Sequence, residues 1–105
     1  ADNIHNLSDV PHRRIEARAQ LPWGCDTSVF YETLRKRLAQ EPKVLTLPPP
    51  IVETFDNNAA GPVAVIRPFC APVDYGDVFF LTNKIVVEEI AKAGFAAPNP
   101  GALLK

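Results

Sequence analysis

The chain reads as an α+β domain, a ferredoxin-like two-layer sandwich of order βαββαβ, with a mainly antiparallel sheet and two helices on one face. Three observations predict it. Residues 14–21 alternate apolar and polar with a period of two. Residues 29–40 and 78–90 carry apolar side chains at helical spacing. Between them, two extended runs flank a segment rich in turn-forming residues, 56–61. Strand, helix, hairpin and helix in that order make the split βαβ pattern, whose helices cover one face of the sheet.

In the first strand Ile15, Ala17, Ala19 and Leu21 point one way, and Arg14, Glu16, Arg18 and Gln20 the other, so one face is buried and one wet. Pro22-Trp23-Gly24 turns the chain. Asp26 or Thr27 can cap the next helix, since either side-chain oxygen accepts from the free amides of a first turn. The helix then runs from Val29 to about Gln40. Phe30, Leu34 and Leu38 form its apolar stripe, widened by Val29 and Tyr31. Glu32 and Lys36, four apart, are expected to pair. Arg35, Lys36 and Arg37 sit at the negative end of the helix dipole, and Pro42 stops the helix.

Val44-Leu45 opens an extended segment that Pro48-Pro49-Pro50 keeps stiff and unable to donate ladder bonds. Ile51 to Phe55 and Val63 to Cys70 read as the two strands of a hairpin, with Pro68 marking a bulge or an edge. Asp74, with Asp77 three residues on, starts the second helix in a capping-box-like arrangement. Val78, Leu81, Ile85, Val86 and Ile90 form its stripe. Phe79, Phe80 and Val87 make its apolar surface broader than a two-layer sandwich needs, which leaves two readings: a helix packed deeply in its own core, or a second covered surface supplied by another subunit. Gly94 terminates the helix, and Phe95 can fold back on its last turn. Residues 96–105, with Leu103-Leu104 their only adjacent large apolar pair, read as a tail or a weak last strand.

At 105 residues the chain is one domain, long enough to bury a core of its own. We divide it into an extended lead-in, 1–12, the α/β domain proper, 13–97, and a tail, 98–105. A net charge of −1 gives no electrostatic footprint for nucleic acid or an anionic membrane surface. No apolar run approaches the ~18–20 residues needed to span a bilayer, so the expected fragment is soluble. The start carries no secretory signal, and the chain contains no methionine, so it begins either at an initiator-processed terminus or as an excised piece of a longer protein; the extended first ten residues, with nothing of their own to pack on, fit the second better. Cys25 and Cys70 are too few for a disulfide framework and read as buried or half-buried thiols.

The residues give little footing for chemistry. His5 and His12 lack the further convergent ligands a zinc site needs. No serine or cysteine stands in a nucleophile motif. The five glycines are scattered, one per turn or helix end, where a phosphate cradle would group them. Phe55 and Phe69 could lie on adjacent strands, yet without the basic surround of an RNA-binding sheet. The Asn6-Leu7-Ser8 sequon carries no meaning without a secretory signal. The expectation is a non-enzymatic domain with no cofactor and no metal.

A series of short motifs adds a resemblance. Asn6-Leu7-Ser8-Asp9 followed by Pro11 and Arg13-Arg14-Ile15, Trp23-Gly24-Cys25-Asp26, Pro42-Lys43-Val44-Leu45 before Pro48-Pro49-Pro50, Asp74-Tyr75, Gly94-Phe95 and Pro98-Asn99-Pro100 occur in this order. Together they resemble the cytoplasmic α/β domain of channels of the small-conductance mechanosensitive (MscS) family, from the junction with the preceding β-domain to the exit towards the carboxy-terminal barrel. Three positions depart from the family pattern. Trp23 replaces the usual Tyr, Pro68 interrupts a strand, and Asn99 stands between prolines where an apolar residue is common.

The resemblance implies a segment of the wall of a hollow vestibule on the cytoplasmic face of the bacterial inner membrane. It implies a homo-oligomer, commonly a heptamer, anchored through upstream membrane segments and passing ions and small osmolytes. On that reading Phe79, Phe80, Val87, Pro98 and Pro100 are candidates for the subunit interface, and Arg35, Lys36 and Arg37 for the solute-facing surface. Alone, the fragment is expected to be mainly monomeric or weakly associating. Two other readings stay open: a ferredoxin-like regulatory module binding a small molecule at Trp23-Gly24-Cys25-Asp26, and a stand-alone interaction domain of a soluble protein.

Overall fold

The computed structural model describes residues 10–95. Its elements are β1 (Arg13–Arg14), β2 (Ala17–Gln20), α1 (Thr27–Ala39), β3 (Ile51–Asn58), β4 (Gly61–Arg67), β5 (Phe69–Cys70), a 3-10 turn (Pro72–Asp74) and α2 (Tyr75–Ala93). The sandwich is α+β and two-layered, as predicted. β2, β4 and β3 lie side by side in that order, all antiparallel, and β1 pairs with β5. The predicted lead-in before Val10, the final strand or tail, Pro98, Pro100 and Leu103-Leu104 lie outside the described residues.

The two sheets are one ladder in two pieces. Arg13 faces Cys70, Ala17 faces Ile66 and Gln20 faces Val63, so the register is unbroken from residue 13 to residue 20. Pro68 makes the gap. Ile15 donates to the Pro68 carbonyl at 2.9 Å, and proline has no N–H to return the bond. Pro62 repeats this at the other end, accepting from Leu21 at 2.8 Å. The bulge or edge expected at Pro68 is therefore a one-way bond inside an otherwise regular pairing.

The hairpin departs from its expected outline. Both strands run further into the turn, which shrinks from residues 56–61 to Ala59-Ala60, and the second strand, expected to reach Cys70, ends at Arg67 before the separate β5. Two local devices account for this. The register shifts by one between Thr54 and Asp56, leaving Phe55 as a bulge. The Asn58 side-chain oxygen accepts from the amides of Ala60 (2.9 Å) and Gly61 (3.1 Å), which closes the tight turn. Gly61 has φ 143°, and a Cβ there would sit 2.1 Å from the Leu21 carbonyl oxygen, so the strands meet this closely only around a glycine.

The core lies between helices and sheet. Ile15, Leu21, Leu34, Leu38, Val52, Ile66, Val78 and Ile85 are fully buried, which matches the predicted inward strand face and helix stripes. Asp26 caps α1, its carboxylate accepting from the Val29 amide at 3.2 Å. Val29 is exposed and does not widen the stripe; Tyr31 does, its hydroxyl 2.6 Å from Thr54 Oγ1. Glu32 lies 3.8 Å from Arg35, not against Lys36. At the start of α2, Asp74 caps nothing with its side chain, and the 3-10 turn feeds the helix instead. Asp77 is drawn off to Lys43 Nζ at 2.7 Å. Gly94 ends α2 in the left-handed region at φ 67°, as expected, and Phe95 packs edge-on to Phe30 at 5.3 Å.

Candidate interface surfaces

α2 buries Val78, Thr82, Ile85, Val86 and Glu89. Residues 80 and 87 lie about half a turn round from that face, at ~100° per residue, and point away from the sheet. Phe80 is 72% and Val87 67% exposed. Phe79, on the flank at 36%, stacks on Tyr75 at 6.4 Å and meets Phe80 edge-on at 5.5 Å; Arg13 lies 4.7 Å above the Tyr75 ring. The breadth of the helix noticed in the sequence is thus a second apolar surface, separate from the core. Val73, in the turn just before the helix, is also 89% exposed, and a lone valine in a turn carries no periodic signal that would announce it.

The basic trio of α1 is split by its neighbours. Arg35 bonds the Val52 carbonyl and lies 3.3 Å from Glu53, both on β3. Arg37 reaches across to α2, bonding Glu89 at 2.8 Å and Glu88. Those contacts raise the Arg37 pKa and hold the Glu88 carboxyl below its usual range. Lys36 is exposed. Helical spacing puts the three in series along the chain but on different faces, and only the tertiary fold reveals what each face meets.

The helix-free face of the sheet carries an arrangement that the sequence did not disclose. Arg18 lies 4.1 Å and Arg67 5.8 Å from the centroid of the bulged Phe55 ring. Glu16 joins both arginines, at 2.8 Å to Arg18 and 3.0 Å to Arg67. The hydrogen bond from Arg18, with that from Arg67 and their charges, lowers the Glu16 pKa against the opposing effect of its burial. Val65 beneath them is buried although no helix covers it. Strand alternation places Glu16 and Arg18 on this face, but linking them to residues 55 and 67 requires the register.

A cavity of about 410 Å³ opens between the start of α1 and the end of α2, lined by the apolar Phe30 and Phe95 together with Asp26, Glu89 and Lys92. At the Trp23-Gly24-Cys25-Asp26 turn, Trp23 is exposed and donates from Nε1 to the Ala59 carbonyl at 3.1 Å. Asp26 is taken up by capping. Cys25 is half-buried and Cys70 buried, both as free thiols, and burial pushes both pKa values up. Among the described residues no group of three or more His, Cys, Asp or Glu is placed to hold a metal ion, and no helix is long and apolar enough to cross a membrane.

No protein-family model matches the chain, and no curated protein matches it. Solved structures do match it by shape. The chain spans 37% of the length of one such solved chain, so the likeness concerns part of that protein. The fold is MscS-like: it is similar to that of Helicobacter pylori MscS in the closed-state crystal structure, with a TM-score of 0.65 and 18% sequence identity over 87% of this chain.

Proposed function

We propose that this chain is a vestibule domain of a bacterial mechanosensitive channel, forming part of the ion and osmolyte path and of the contact between subunits on the cytoplasmic side of the inner membrane. The observation that carries the proposal is the match of fold to part of Helicobacter pylori MscS over 87% of the chain. The ordered motifs of the sequence support it independently. The exposed Phe79, Phe80 and Val87 support a subunit contact, because an apolar stripe on the outer side of a helix is the mark of a surface that another copy covers. Pro98 and Pro100 belong to the same proposed interface. Lys36 is the member of the basic trio best placed to face solute, since Arg35 is drawn to Glu53 on β3 and Arg37 to Glu89 on α2; both remain candidates for the same surface in the assembly.

The experiment that tests this begins with the coding sequence upstream of Ala1. Apolar spans of about 20 residues followed by a short β-rich segment support the channel. A start codon directly before Ala1 removes it, and the regulatory module takes its place. For that second reading the cavity beside Asp26, Phe30 and Lys92 is the relevant observation. Expression of the full-length gene in cells lacking their own mechanosensitive channels then reads function, as survival of abrupt dilution into low-osmolarity medium. Survival no better than with empty vector would sink the channel reading.

A further inference from the structure

We propose that the outer face of α2 in one copy of this chain packs against the helix-free sheet face of the next copy. The inference rests on the ring reading above, because copies arranged around an axis present different surfaces to their two neighbours. A ring therefore needs a pair of complementary patches on opposite sides of the subunit.

Two such patches are present. Phe80 and Val87 point away from the sheet on the helix side, and Ile51 and Phe55 are exposed on the strands. Phe55, aimed out by the bulge, lies under Arg18 and Arg67 on the face that carries no helix. The two layers of the sandwich put these patches on opposite sides of the subunit, as a heterologous contact requires, and a turn from each copy to the next closes the ring. Glu16 pairs with both Arg18 and Arg67, so one of the two guanidinium charges on the sheet patch is balanced within the chain and a net charge of +1 is left to the contact. A phenylalanine laid on this guanidinium-and-ring platform adds both apolar and cation–π contact. At the edges of the two patches the exposed Lys84 lies on the helix side and the exposed Asp56 next to Phe55, while Glu53 is held by Arg35.

The size of the contact sets its strength. A 19-residue helix is ~28 Å long, and a stripe ~10 Å wide along it covers on the order of 300 Å². That is well below the ~800 Å² per partner of a stable interface. The contact is weak between free chains and becomes effective when other parts of the assembly hold the copies together.

Disulfide trapping tests the pairing. In a Cys25→Ser background, with Cys70 left in place because it is fully buried, Val87→Cys and Glu53→Cys chains are mixed in equal amounts and oxidised at millimolar concentration. The mixed 53–87 dimer is expected to make up well over half of the trapped product, whereas random collision gives half. A mixed fraction of half or less, dominant 87–87 dimers, or no dimer from chains that each label fully with a maleimide overturns the proposal. The ring itself is read separately, from the mass of the full-length assembly. A ring without the 53–87 pair removes this contact alone, and a full-length protein that is monomeric removes the ring.

Discussion

Arg37 on α1 donates to Glu89 on α2 at 2.8 Å, and this ion pair joins the two helices at a point where Glu89 is only 6% exposed. A carboxylate so enclosed depends on its partner, because an unpaired charge there would lose its hydration without compensation. Glu88 and Lys92 complete the cluster. Arg37→Ala is therefore expected to lower the urea midpoint of unfolding clearly, while Lys36→Ala, one residue away and exposed, leaves it unchanged. Equal effects of the two substitutions would contradict the bridging role.

The inner stripe of α1 has a sharper energetic signature. Leu34 is fully buried, so Leu34→Ala is expected to cost about 2–5 kcal/mol in equilibrium denaturation. Val29, which its spacing in the sequence would place beside the stripe, is exposed, and Val29→Ala should stay within about 0.5 kcal/mol of the parent chain.

Gly61 marks the closest backbone approach in the sheet. With φ 143° and the Leu21 carbonyl 2.1 Å from where a Cβ would stand, Gly61→Ala forces apart the hairpin and the end of the first strand. A loss of more than about 1 kcal/mol is expected. Gly76→Ala, whose Cβ would meet nothing within 4 Å and which lies inside α2, serves as the control and should be neutral or stabilising.

Three carboxylates give a signed dependence on pH. Asp77 is held low by its hydrogen bond from Lys43, Glu88 by that from Arg37, and Glu16 by that from Arg18 with help from Arg67. A group whose pKa is lower folded than unfolded binds more protons in the unfolded chain at acid pH. Its contribution is therefore fully present above the unfolded value, near ~4 for Asp and Glu, and disappears as pH falls through the folded one. Thermal midpoints should be flat from pH 7 to about 5 and fall below that. Asp77→Asn should flatten the acid limb; an unchanged slope would show that this pair does not set it.

Much of the fold was legible because local patterns coincide with the tertiary answer. Ile15 to Leu21 alternate, Phe30, Leu34 and Leu38 recur every four, and Gly94 stops a helix in a left-handed conformation that other residues adopt only at a cost. What could not be read depends on partners far along the chain. The bulge at Phe55 changes no composition, only a register. Asp77 lies where a capping box would put it, yet Lys43, distant in sequence, takes its carboxylate. The candidate surfaces divide in the same way. The surplus of apolar residues at 79, 80 and 87 was visible on the helix itself, whereas the platform of Glu16, Arg18, Phe55 and Arg67 is assembled from three strands and has no linear motif.

The one-way bonds at Pro62 and Pro68 have a mechanical corollary. The pairing of residues 13–21 with 62–70 is fully bonded in its middle and short of a bond near each end. A pull on the chain ahead of Arg13 loads such an antiparallel pair at its tip, peeling it bond by bond instead of shearing all of them at once. The first resistance it meets is the Arg13–Cys70 end, where Pro68 has already taken one rung away. The domain thus has a compliant mounting at its entry and a stiff body behind it.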